Sequence, residues 1–152
     1  MNIDRLTIET EPAREDIQFL EDQINAFNIA QTGVPFGGFV SSFVRDDAGA
    51  IVAGVHGFTW GDCCEIEYLW VHADLRGAGL GARLLALAEQ EAVRQGCEQV
   101  VLSTHSFQAP SFYAKQGYEV VGVVNGYPGP HQEIYLRKAL GREAHTEARA
   151  GA

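Results

Sequence analysis

The sequence has no apolar run near the ~20 residues that a membrane span needs, few basic residues and only three cysteines. Each shortage excludes something. The first rules out a spanning helix. Residues 1–9 alternate charged and apolar side chains and lack the basic-then-apolar layout of a signal peptide, so a cytoplasmic protein with no membrane partner is expected. Lys and Arg number 11 against 20 Asp and Glu, for a net charge of −9. With no basic stripe to release counterions, nucleic acid and anionic lipid are poor partners. The same balance suits a cationic substrate such as an amine. Cys63 and Cys64 are adjacent and Cys97 is distant, which fits no zinc spacing. An odd count is also a poor disulfide framework, so the thiols read as small buried residues in a reducing compartment and no metal is expected.

What is present fills one ordinary domain of 152 residues, expected over 1–140, with a small, charged, flexible tail over 141–152. Ile3 to Glu9 alternates like a half-buried strand. Ile17, Leu20, Ile24 and Phe27 recur at three and four, which predicts a helix from about Pro12 to Ala30. Two strand-like runs, Gly38 to Arg45 and Ala50 to Trp60, flank the turn Asp46-Asp47-Ala48-Gly49 and predict a hairpin. Cys64 to Val71 reads as a further strand. A helix period follows from Gly79 to Gly96, then a strand at Gln99 to Thr104 and a short helix at Ala109 to Lys115. Strands at Tyr118 to Val124 and Glu133 to Arg137 close the pattern. The order β-α-β-β-β-α-β-α-β-β implies an α/β fold: a mixed central sheet of about seven strands flanked by helices, parallel in part and with antiparallel edges.

The strand ending near His72 runs into Arg76-Gly77-Ala78-Gly79-Leu80-Gly81 and then a helix. Glycines bring backbone close to a ligand and turn successive N–H groups into one concavity. The helix start adds partial positive charge, and Arg76 adds a permanently charged fork. The combination suits a pyrophosphate. Spacing alone is weak, since Arg-x-x-Gly-x-Gly arises by chance about one time in ten. A dinucleotide fold fits less well, because the turn follows the fourth strand rather than the first.

Leu69 to Gly81 resembles the strand-four, phosphate-turn and helix signature of the GNAT-type N-acetyltransferases. Phe107 to Tyr118, with Ala109, Phe112, Tyr113 and Gly117, is similar to a second segment of the same enzymes at the matching distance. The resemblance covers roughly Leu6 to Leu140. It implies acetyl-coenzyme A as co-substrate, with the pyrophosphate on Arg76 and the backbone of Gly77, Gly79, Gly81 and Ala82, and with Ala78 and Leu80 in the same turn. It implies that Leu69, Trp70 and Val71 meet the pantetheine arm, that Ala109 and Phe112 lie against the cofactor, and that Tyr113 serves the departing thiolate. Many relatives carry asparagine where Ser106 stands, which puts one cofactor contact in question. A homodimer, common in such enzymes, stays open.

Strand period places Glu65, Glu67, Leu69 and Val71 on one face, and Ile66, Tyr68 and Trp70 on the other. Glu65 and Glu67 are the carboxylates that could free the attacking amine of its proton. His72, His105 and His131 are further candidates, His131 being the best placed of the three in the sequence. Asn28, Phe36 and His131 are expected to line the acceptor pocket. The expected function is acetyl transfer to a primary amine of a small molecule. A protein N-terminus or lysine as acceptor, and a coenzyme A-binding module without turnover, are the alternatives.

Overall fold

The computed structural model describes residue 3 and residues 6–141. The expected tail, from 142 onward, lies outside the described residues. The chain divides after Pro35 into two compact units. In the first, the strand expected over Ile3 to Glu9 is not found. The Leu6 N–H instead donates to the Ile3 carbonyl at 3.1 Å, which turns the chain, and Leu6 to Glu9 has no strand pairing. Asp4 and Arg5 lie outside the described residues. Alternation marks a segment that can be extended; a strand also needs a partner's hydrogen bonds.

Helix α1 spans Arg14–Thr32. It starts two residues later than Pro12 suggested, because Ala13 is extended and its N–H is held by the Asp16 carboxylate at 2.8 Å. Gly33 ends it in the left-handed conformation (φ 69°), donating to the Ile29 carbonyl. Among the described residues no helix is long and apolar enough to cross a membrane.

The second unit holds β1 (Phe36–Arg45), β2 (Ile51–Trp60), β3 (Cys63–Val71), α2 (Leu80–Arg94), β4 (Gln99–His105), α3 (Pro110–Lys115), β5 (Glu119–Tyr127) and β6 (His131–Ala139). The strands form one six-stranded sheet in the order β1-β2-β3-β4-β6-β5. All neighbours are antiparallel except β3 and β4. That single parallel pair needs a crossover, and α2 supplies it. The β1–β2 hairpin closes as its turn chemistry predicts: the Asp46 carboxylate accepts from the N–H groups of Ala48 and Ala50, and Gly49 takes φ 83°.

The core lies between one sheet face and the helices α2 and α3. Leu84, Leu85, Ala88 and Ala92 of α2, recurring at helical period, meet Val40, Val55, Cys64, Val100 and Leu136 of the sheet. Burying a leucine such as Leu85 contributes about 2 kcal/mol, so this stripe carries much of the driving force for folding. Polar ties fix its edge. Lys138 pairs with Glu89 at 2.7 Å and the Tyr118 hydroxyl donates to the same carboxylate at 3.0 Å, which joins β6 and the segment before β5 to α2.

Candidate functional site

Parallel pairing of β3 with β4 stops after Ile66 opposite Leu102, although β3 runs on to Val71 and β4 to His105. The two strands part there, and a cavity of about 800 Å³ opens between them. The parting coincides with a bulge. Gly57 of β2 faces Ile66, whereas His56 faces Tyr68, so Glu67 is an extra residue in β3. The bulge corrects the expected faces. Cys64 and Ile66 point to the core, and beyond the bulge so do Leu69 and Val71; Glu65, Tyr68 and Trp70 share the opposite face. A one-residue insertion flips every later side chain.

The bulge also leaves β3 with an open edge. His72 donates to the Val52 carbonyl at 2.9 Å. Antiparallel pairing alternates, so Trp70 and Tyr68 turn their backbone groups to β2 as well. Leu69 and Val71 therefore aim theirs toward β4, across the cavity. Arg76 takes one of them, its Nε donating to the Val71 carbonyl at 3.0 Å.

A single 3₁₀ turn, Ala73–Leu75, follows β3, with the His72 ring accepting from the Asp74 N–H. Next come Gly77 and Gly79, both at φ 81°. A β-carbon on either would meet nothing within 4 Å. These glycines answer a conformational demand rather than a crowded one. Among the described residues no N–H from Gly77 to Ala82 has a backbone acceptor, and the first helical bond is Arg83 to the Gly79 carbonyl at 3.1 Å. The start of α2 thus presents a row of free donors beside a guanidinium and has no acidic side chain in its first turn. An anionic diphosphate fits it.

The far wall holds the titratable groups. Tyr113 of α3 is buried, its ring edge-on to Phe112 and Tyr118, and burial pushes its hydroxyl above the usual tyrosine range. His105, at the end of β4, lines the same cavity with Glu67, Tyr68, Ser103 and Gln108. Gln108 shapes this corner, its side-chain oxygen accepting from the His105 N–H at 2.8 Å and the Thr104 hydroxyl at 3.1 Å.

Residues 3–118 match the family described as the Acetyltransferase (GNAT) family. The chain belongs to that family. It is 36% identical over 89 residues to the blasticidin-S acetyltransferase of Streptomyces morookaense, covering 58% of this chain and 65% of that protein. It is 28% identical over 119 residues to the acetyltransferase Atu2258 of Agrobacterium fabrum, covering 78% and 87%. An acetyltransferase structure from Bacillus cereus superposes with a TM-score of 0.76 at 31% identity, covering 88% of this chain and 98% of that one.

Within this GNAT fold the residues anticipated for the cofactor, and Tyr113 anticipated for its departing thiolate, fall into three groups. Leu69, Trp70, Val71, Arg76, Ala109 and Tyr113 line the cavity. Gly77, Ala78, Gly79, Leu80, Gly81 and Ala82 form the donor row beside it. Phe112 and Ser106 lie outside the cavity lining. Phe112 packs against the first turn of α2, near Gly81. The Ser106 hydroxyl accepts from the Gln132 N–H at 3.1 Å and lies 3.3 Å from His131 Nδ1, which ties β4 to β6.

The acceptor-side residues are less well gathered. Glu67 lines the cavity; Glu65 does not, since it sits where β3 is still paired to β4, opposite Val101. Phe36 packs edge-on against Phe39 and tilted against Phe58 at the start of β1, and His131 is engaged with Ser106; neither lines the cavity. Asn28 lies in α1, in the first unit. Ser103, Tyr68 and Gln108 were not singled out from sequence. Once Glu67 is recognised as a bulge, strand parity finds Tyr68. Gln108 is visible only through its hydrogen bonds.

Proposed function

We propose that the protein transfers an acetyl group from acetyl-coenzyme A to a primary amine of a small-molecule acceptor by direct attack. The observation that carries the reading is one cavity lined by the free edge of β3, Arg76 and the protonated Tyr113, with the row of unpartnered N–H groups beside it. The co-substrate supplies the thioester. Leu69 and Val71 offer backbone groups to an amide-bearing arm as a neighbouring strand would. Arg76 and the N–H groups of Gly77 to Ala82 hold the diphosphate. The Val71 N–H polarises the acyl carbonyl and stabilises the charge that develops on its oxygen. Tyr113, kept protonated by burial, donates to the leaving sulfur. Glu67, on the wall nearest the bulge and 3.5 Å from His56, draws in the acceptor's ammonium.

A small cationic acceptor is supported by the net charge of −9 and by the relative named for blasticidin S. The test is calorimetry with coenzyme A, followed by thiol release from acetyl-coenzyme A across small amines and N-terminal and lysine peptides. The expected result is micromolar coenzyme A binding, weakened about tenfold or more in Arg76→Ala, and release with small amines. Release with peptides alone would move the acceptor to proteins. Binding with no release anywhere would leave a coenzyme A-binding module, and no binding would remove the cofactor altogether.

A further inference from the structure

Building on the acetyl-transfer reading, we propose that His105 takes the proton from the acceptor's ammonium, with Glu133 as the positioning residue that offsets the charge the ring then carries. Among the described residues are His56, His72, His105 and His131. Three are engaged elsewhere. His56 lies 2.6 Å from the Ser41 hydroxyl and 3.5 Å from Glu67; His72 accepts from the Asp74 N–H; His131 meets Ser106. Only His105 lines the cavity.

The ring of His105 is held between Phe107 and Tyr127, with centroids 5.2 and 5.0 Å away. Its backbone N–H is pinned by Gln108. Yet its Nδ1 is the one buried side-chain N or O atom among the described residues with no hydrogen-bond partner. Such an atom calls for a reason. A buried N–H with no acceptor is the costlier of the two neutral forms. The tautomer assigned from this environment therefore keeps hydrogen on Nε2 and a bare lone pair on Nδ1. That lone pair lacks only a donor, and an ammonium N–H supplies one. Nδ1 is closed to solvent in this structure, and the neighbouring Phe107 ring, which is exposed and lines the same cavity, must swing aside for a donor to reach it.

Glu133 is placed to support the charged ring. It pairs directly with His105 across the β4–β6 ladder, so the two side chains share a face. Tyr127 and Ser103, the latter at 2.7 Å, donate to its carboxylate, as does Tyr135; together with the field of His105 they hold it below the usual carboxylate range. The carboxylate stays anionic, and its field reaches the neighbouring imidazole. The other titratable groups around His105 are Tyr127 of β5, Tyr135 of β6, Tyr113 of α3, Glu67 and Tyr68 of β3, and Arg76 across the cavity.

The step balances. A proton passes from the ammonium to His105 Nδ1, and its bonding pair stays on the nitrogen. That pair forms the new C–N bond at the thioester carbonyl carbon. The C–S bond breaks with its pair on sulfur, and the nitrogen's second proton reaches sulfur through Tyr113. His105 then returns its proton to solvent.

The test is the pH dependence of kcat/KM, with an amine taken from the thiol-release panel, for wild type, His105→Gln, Glu133→Gln and Glu67→Gln. His105→Gln is expected to lower kcat by about 10²-fold and to abolish the acid limb of the profile. Its coenzyme A affinity and near-ultraviolet circular dichroism should match wild type. Glu133→Gln is expected to move that limb to lower pH, because an imidazolium without its carboxylate gives up a proton more readily; this arm reads the proposal even where His105→Gln fails to fold. Loss of the limb in Glu67→Gln alone, with His105→Gln retaining it, overturns the assignment. Wild-type protein that binds coenzyme A but acetylates nothing removes the reaction as well. Wild-type turnover with an unchanged profile in His105→Gln removes only the role of His105.

Discussion

Tyr113 is where packing and chemistry compete for one side chain. Its ring fills the space between Phe112 and Tyr118, a purely apolar task that phenylalanine performs equally well. Only the hydroxyl is in excess of that task, and burial keeps it protonated. Tyr113→Phe therefore separates the two roles. Its melting temperature and coenzyme A affinity should stay near wild type while kcat for thiol release falls by about 10²-fold. An unchanged kcat would reduce Tyr113 to packing. At this scale the sequence was readable wherever a residue's demand is local. Gly77 and Gly79 announce a left-handed backbone, and Arg76 beside them announces an anion. It was unreadable where the demand is set from across the sheet: that the Ser106 hydroxyl takes the Gln132 N–H, or that His105 and not His131 faces the cavity, depends on partners 25 or more residues away in the chain.

At the scale of elements, the bulge in β3 sets the geometry of the site. It turns Leu69 and Val71 inward, lifts Glu67 onto the wall and coincides with the end of β3–β4 pairing. Its partner residue explains why it is stable. A β-carbon on Gly57 would run into the backbone carbonyl of Glu65 and crowd Ile66, so only glycine lets β2 come this close. Gly57→Ala is expected to destabilise the protein by about 2 kcal/mol, read as a shift in the urea midpoint, and to weaken coenzyme A binding as the β3 edge moves. Retained stability and affinity would mean that the bulge relaxes freely. Nearly every element was legible from periodicity and turn residues, since those signals lie within the element. The bulge was not, because it exists only in the register between two strands; a glycine inside a strand pattern was the available hint. The supposed first strand failed for the same reason, as alternation at Ile3 to Glu9 carries no information about a pairing partner.

For the molecule as a whole, the acidic surface and the buried core respond to pH in opposite directions. Burial raises the Cys64 thiol to about 12 and Cys97 to about 11, and burial with the nearby Glu89 carboxylate also raises Tyr118. In the unfolded chain these groups ionise at ordinary values, near 9 for the thiols and 10 for tyrosine. Between those values and the raised ones the native state binds more protons than the unfolded state, so stability falls as pH rises. Their contribution is complete below about pH 8.5 and is lost progressively above it. The carboxylates act with the opposite sign. Glu133, held down by Tyr127 and Ser103, and Glu91, held down by Arg94 and Gln95, favour the fold above the ordinary carboxylate range and lose that effect as pH falls through their lowered values. Urea midpoints measured from pH 4 to pH 11 should therefore form a plateau between about pH 6 and 8.5 with a fall on each side. In a Cys64→Ala, Cys97→Ala double variant the plateau is lower, because volume is lost from the core, but the alkaline fall is shallower. An alkaline slope identical to wild type would show that these two thiols are not the groups that bind the extra protons, and would leave other raised groups, Cys63, Tyr113 and Tyr118 among them, to account for it.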